Sequence, residues 1–217
     1  MRVKKKNGSP GTRRTYDPAR TRQDIIAVAT AEFAEKGLSG ARIDRIAART
    51  KTSKRGIYYY FGSKEKLYIS VLEEAYRQIR SDERALLLDH LPAREALRAL
   101  VGFTFDYENA HPQFIRLVMN ENIHYGKYLA RSRTIQRLNT TAIDAVRRLL
   151  ERGVRDGDFR AGIDPVDLHM TISALCFFNV ANRYTFSRIF KKDMTSAAAL
   201  AARRASVIDT ILASVAA

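Results

Sequence analysis

The side chains best suited to meeting a polyanion are gathered in one short stretch: Ser53, Lys54 and Arg55, then Tyr58, Tyr59 and Tyr60, then Lys64. Arg55 carries the planar fork that pairs bidentately with a guanine edge, while Tyr58, Tyr60 and Lys64 suit phosphate oxygens. Tyr60, with Phe61, also suits simple packing at a helix end. Other chemistry finds little support. His90, His111, His124 and His169 have no metal-ligand spacing with one another, and neither a Gly-rich phosphate loop nor a nucleophile elbow occurs. Cys176 sits within Ala174-Leu175-Cys176-Phe177-Phe178, an apolar setting that raises a thiol pKa and leaves it inert. The residues point to binding rather than catalysis, and no enzyme activity, metal or cofactor is expected.

Charge supports that reading. In 217 residues, 38 Lys+Arg oppose 23 Asp+Glu, a formal charge of +15, of which residues 1–60 hold +10 and residues 61–217 only +5. A polarised excess is the electrostatic footprint of a nucleic-acid or anionic surface partner. No apolar run approaches the roughly 18 residues of a membrane span, and the basic N-terminus leads into Asn7-Gly8-Ser9-Pro10-Gly11 rather than a signal-type apolar stretch. One cysteine excludes an intrachain disulfide and suits a reducing cytoplasm, where the protein is expected to act. Residues 1–16 are basic, acid-free and Gly/Pro-punctuated, which reads as an unfolded tail that is either simply solvated or an arm adding phosphate or minor-groove contacts.

The elements that must position these groups are helices. Asp17 caps a first helix with Pro18 in its first turn; Ile25, Ile26, Ala29 and Phe33 give its inner face and Gly37 its stop. A second short helix fits Ile43 to Thr50, a third begins after Ser53 and runs to Phe61, and Ser63 caps a fourth with Leu67, Val71, Ala75 and Ile79 inward. Five more are expected over Pro92–Asn109, Pro112–Tyr125, Tyr128–Arg155, Pro165–Phe190 and Ser196–Val215, about nine in all, with no strand pattern.

Helices two and three, joined by Thr50-Lys51-Thr52, form a helix-turn-helix whose hinge is Ile46, Ala47 and Ile57 and whose outer side offers Lys54, Arg55, Tyr58 and Tyr59. Residues 43–67, IDRIAARTKTSKRGIYYYFGSKEKL, resemble the DNA-binding domain of the TetR family of transcriptional regulators. The resemblance lies in Ile46-Ala47, the Ser53 cap, the Tyr58-Tyr59-Tyr60-Phe61 cluster and Ser63-Lys64-Glu65-Lys66-Leu67. Three positions depart from the family pattern. Lys51 stands at the turn usually held by glycine, Thr50 stands where alanine is common, and Arg42 replaces the Thr or Ser that caps helix two and touches phosphate. Gly56, inside the recognition helix, is expected to cost about 0.5–1 kcal/mol relative to alanine.

The resemblance implies an all-α fold: a tail at 1–16, a helix-turn-helix domain at 17–62, a connecting helix at 63–82 and an effector-binding and dimerisation domain at 83–217. It also implies a homodimer built from the last two helices, on a palindromic operator. Apolar stripes fit such a face: Leu168, Ile172, Leu175 and Phe186, then Leu200, Val207, Ile208 and Ile211. For a small-molecule effector, candidate wall and anchor residues are Phe103, Tyr107, Met119, His124, Tyr128, Phe177, Phe178 and Asn179, although an aromatic at helical spacing is more often core. Segments 112–133 and 172–190 look like a TetR subgroup that represses catabolic operons such as those for nicotinate or pyrimidine breakdown, which implies an aromatic or heterocyclic effector. The expected function is a ligand-responsive repressor of a neighbouring catabolic or efflux operon. An activator of the same family and a non-specific nucleoid-type DNA binder are the alternatives.

Overall fold

The computed structural model describes residues 17–217, so the basic arm expected at 1–16 lies outside the described residues. Ten α-helices follow one another: α1 Pro18–Gly40, α2 Ile43–Thr50, α3 Lys54–Phe61, α4 Lys64–Arg84, α5 Ala93–Ala110, α6 Pro112–Ile123, α7 Arg133–Arg155, α8 Pro165–Ala181, α9 Arg183–Phe190 and α10 Ala197–Val215. Short 3-10 turns at Leu88–His90 and Leu129–Arg131 precede α5 and α7, and no strand forms among the described residues beyond one isolated bridge between Phe159 and Ala216.

Helix starts are set by side-chain caps. Asp17 accepts from the backbone N–H of Ala19 and Arg20, Ser53 from Gly56, Ser63 from Lys66, Ser132 from Ile135, and Asp164 from Val166 and Asp167. Each cap satisfies donors that the helix cannot satisfy itself. Near the end of α1, Gly37 leaves helical geometry at φ +64, a region that favours glycine, and a Cβ there would press on Asn120 of α6 at 3.3 Å.

Two predicted helices are divided. The segment predicted as Tyr128–Arg155 opens with the 3-10 turn, and α7 starts only after the Ser132 cap, whose hydroxyl also donates to Glu73 Oε1 at 2.6 Å. The segment predicted as Pro165–Phe190 breaks at Asn182, whose carbonyl accepts from the Thr185 hydroxyl at 3.0 Å. No proline or glycine marks that break, so helical spacing alone runs through it.

Two apolar clusters hold the helices. The first joins Ile25, Ala29 and Phe33 of α1 to Ile46, Ile57, Leu67 and Val71, and it takes in Leu117 of α6 and Ile135 of α7. The second packs Leu97, Val101 and Phe105 of α5 against Leu149 of α7, Leu168, Ile172 and Cys176 of α8, and Val207, Ile208 and Ile211 of α10. Burying each Leu, Ile or Phe contributes about 1.5–3 kcal/mol. Because α6 and α7 enter the first cluster, the helix-turn-helix is packed against the larger helical body rather than hung from it.

Candidate nucleic-acid interface and effector region

Ile57 and Phe61 hold α3 to the first cluster by one face, which turns Lys54, Arg55, Tyr58 and Tyr59 outward. Tyr59 is 84% exposed, too open to be a packing residue. Tyr60 is half-buried, edge-on to Tyr59 at 5.6 Å and tilted against Phe61 at 6.3 Å, so it packs more than it projects. The α2–α3 turn is made by Lys51 in the left-handed region, φ +55, with its N–H donating to the Ala47 carbonyl. The family's glycine is therefore replaced by a lysine in the geometry that glycine would favour. Thr50 spends its hydroxyl on the Ile46 carbonyl at 2.9 Å.

Arg42 precedes α2 without capping it by side chain; instead its backbone N–H donates to buried Glu32 at 3.1 Å, leaving the guanidinium outside. An acid missed by sequence reading lies in this basic face. Asp44 Oδ1 sits 2.5 Å from Lys54 Nζ and Oδ2 3.6 Å from Arg42, and the bond from Lys54 holds its carboxyl below the ordinary carboxylate range. Lys64 is also engaged, its ammonium donating to the Ser39 carbonyl at 3.3 Å, which fastens the start of α4 to the α1–α2 corner. Neither partner is adjacent in sequence, so no local spacing reveals them. Arg55 has no such partner among the described ion pairs and is exposed at the second position of α3.

The eight effector candidates do not surround one cavity. Tyr107 stacks on His111 at 4.0 Å and, with Phe114, lines a cavity of about 530 Å³ beside α1 and α4; Phe103 is half-buried with its ring 5.6 Å from Tyr107. Phe178 and Asn179 line a separate cavity of about 410 Å³ with Phe186, Met194 and Arg203, while Phe177 beside them is half-buried. Tyr128 belongs to the first cluster, edge-on to Tyr68 at 5.4 Å, with its N–H on buried Glu121 at 3.0 Å. Met119 is exposed, and His124 closes α6 with Nδ1 2.7 Å from the Asn120 carbonyl. Cys176 is fully buried, and burial pushes its thiol up to about 12.

Of the dimer candidates, Leu168, Ile172, Val207, Ile208 and Ile211 lie inside the chain's own second cluster. Leu175, Phe186 and Leu200 are half-buried. The apolar row that α8 does present outward is Val166, Met170, Ala174 and Phe178, at a spacing of four residues. Beside it α10 exposes small residues, among them Ala198, Ala202, Ala205 and Ala213.

A family model described as bacterial regulatory proteins, tetR family, matches residues 25–71, and one described as tetracyclin repressor-like, C-terminal domain, matches residues 94–211. The chain is 38% identical over 181 residues to the transcriptional repressor NicS of Pseudomonas putida, covering 83% of this chain and 85% of that protein. It is 37% identical over 139 residues to the repressor SCO4008 of Streptomyces coelicolor, covering 64% and 69%. In structure it resembles a tetR-family regulatory protein from Rhodococcus RHA1 at a TM-score of 0.71, 19% identity, and 91% and 97% coverage. It also resembles the regulator FadR of Bacillus subtilis, solved with stearoyl-CoA, at a TM-score of 0.67, 19% identity, and 89% and 98% coverage. With both halves of the architecture matched, the chain belongs to the TetR family of DNA-binding transcriptional regulators.

Proposed function

We propose that the protein is a ligand-responsive homodimeric repressor that binds a palindromic operator near its own gene, in the cytoplasm, and releases it when a small effector occupies the helical body. The observation that carries this reading is the fixing of α3 by Ile57 and Phe61, which leaves Arg55, Tyr58 and Tyr59 free to enter a major groove. Similarity to two proteins named as repressors favours repression over activation. Arg55 reads base edges; Arg42, Ser53, Tyr58 and Lys64 serve the backbone, with Tyr60 supporting them mainly by packing; Lys54 reaches DNA in competition with Asp44. Two recognition helices must meet successive major grooves about 34–36 Å apart, which requires a dimer. The exposed row Val166, Met170, Ala174 and Phe178, with the alanines of α10, is apolar and smooth enough for close helix approach. Effector control requires only that ligand prefer the conformer with misplaced recognition helices.

Footprinting on the intergenic DNA flanking the gene tests the reading. A protected palindrome is expected, and Arg55→Ala should cost about 1–3 kcal/mol on it and much less on random duplex. No protected site, with equal affinity for any duplex, would make the protein a non-specific binder.

A further inference from the structure

A groove of about 290 Å³ lies between the C-terminal end of α4, the 3-10 turn at Leu88–His90 and α7, and none of the effector candidates named from the sequence lines it. Its side walls are aliphatic, from Leu88, Leu138 and Ala142, with Leu87 at the lip. The same groove is lined by Arg80 and Glu83, a pair almost wholly withdrawn from water, with side chains 8% and 10% exposed. Glu83 engages Nη1 of Arg80, while the buried Nε of Arg80 has no hydrogen-bond partner among the described residues. A buried guanidinium donor left open is rare, because it forfeits water without replacement.

Further charge is arranged around the opening. Arg84 and Arg148 line the groove as well, against only Asp89, which is already shared between Arg148 at 3.3 Å and Arg152 at 3.0 Å. The lining is therefore net cationic. At the lip, Leu87 adopts φ +50 and is 61% exposed, an apolar side chain held outside in a strained backbone conformation. Apolar walls with one desolvated cation are what an amphipathic anion requires. The Nε edge of a guanidinium is one that a carboxylate can grip in a fork, a geometry a lysine does not offer.

We infer that this groove is the effector site and that it takes a small organic carboxylate with a compact apolar body, its carboxylate on Arg80 and its body against the leucine wall. The inference rests on the ligand-responsive reading above and specifies its ligand. Its link to DNA is direct, since Arg80 and Lys64 stand on the same helix, at opposite ends of α4. An occupant that shifts the end of α4 moves the corner to which Lys64 and Ser39 are tied.

Benzoate, cyclohexanecarboxylate and the neutral benzamide, titrated into the full chain by calorimetry and into its operator complex by fluorescence anisotropy, test this. Both carboxylates should bind and release operator, with benzamide about tenfold weaker or more. Arg80→Gln combined with Glu83→Gln, which removes the charge pair without stranding either partner, should abolish the preference for carboxylate over amide. Ala145→Phe, which fills the groove from α7 and keeps the pair intact, should remove binding of all three. Equal binding of benzoate and benzamide, or carboxylate binding unchanged in both variants, overturns the inference. A protein that holds its operator but binds neither carboxylate also overturns it, leaving the repressor reading intact; one that binds carboxylates but no operator overturns the repressor reading instead.

Discussion

Lys54 Nζ lies 2.5 Å from Asp44 Oδ1, so the first residue of the recognition helix is neutralised by the scaffold helix before any DNA arrives. The pair is exposed, with side chains 58% and 45% accessible, and its contribution to stability is small. Its effect falls on binding. Asp44 places a negative charge in the face proposed to approach phosphates and already occupies one of the three N–H donors of Lys54.

Asp44→Asn should therefore raise affinity for random duplex more than for operator. Anisotropy titrations across a salt series check this: the slope of log affinity against log salt should steepen by about 0.9 if Lys54 gains one phosphate. An unchanged slope would mean that Lys54 stays with the scaffold and reads nothing.

The outward row on α8 gives a second expectation. Met170, 62% exposed, does not support the protomer core, whereas Ile211 is fully buried in it. Met170→Asp should yield a helical monomer by light scattering with operator binding lost. Ile211→Asp should instead unfold the chain, because a carboxylate would be buried without a partner. A Met170→Asp protein that remains dimeric would move the interface elsewhere.

These two residues also mark where sequence reading stops. The caps Asp17, Ser53, Ser63 and Asp164 are legible because capping is local, and the exposure of Arg55 follows from the spacing of Ile57 and Phe61. An apolar stripe, by contrast, declares that a face is buried without saying against what. Ile208 and Ile211 satisfy α5 and α8 of their own chain, and the outward side of α10 is mostly alanine with Ser206, Asp209 and Thr210 among it, which carries little hydrophobic signal. Asp44 with Lys54 and Lys64 with Ser39 are tertiary contacts outside any local period. The buried Arg80–Glu83 pair is hidden for another reason: a charged i, i+3 pair on a helix reads as a solvated face.

Glu108 on α5 is 4% exposed and one carboxylate oxygen, Oε2, has no partner among the described residues; burial pushes its pKa up to about 8, with Arg80 opposing. A raised carboxyl pKa means the folded state keeps a proton the unfolded chain has released. The resulting stability is fully present below the unfolded value of 4.5 and is lost as pH rises through about 8. His169 works in the opposite sense: burial lowers it to about 4, so its contribution is present above the unfolded value of 6.5 and is lost as pH falls through about 4. Glu108→Gln should gain thermal stability over the wild type steadily from pH 5 to 9 while keeping the loss on the acid side. A melting-temperature difference independent of pH would show that the carboxyl titrates as if in water.

Gly56 sits inside the recognition helix, where alanine would ordinarily add about 0.5–1 kcal/mol. Here the sign reverses. A Cβ at position 56 would stand 2.8 Å from Thr52 Cγ2 and 3.4 Å from Ser53 Oγ, the oxygen that caps the helix by accepting from the Gly56 N–H at 3.0 Å. Thr52 cannot simply rotate away, since its hydroxyl holds the Thr50 carbonyl at 3.3 Å within the turn. Overpacking of this kind costs about 1–3 kcal/mol, and each kcal/mol lowers the melting temperature of a chain this long by about 2–4 °C. Gly56→Ala should therefore melt earlier than the wild type, and Thr52→Ser, which keeps the hydroxyl and removes Cγ2, should restore it in the double variant. If Gly56→Ala alone is more stable, the turn has slack that the packing of Thr52 does not reveal, and the glycine would be there for close approach to DNA instead.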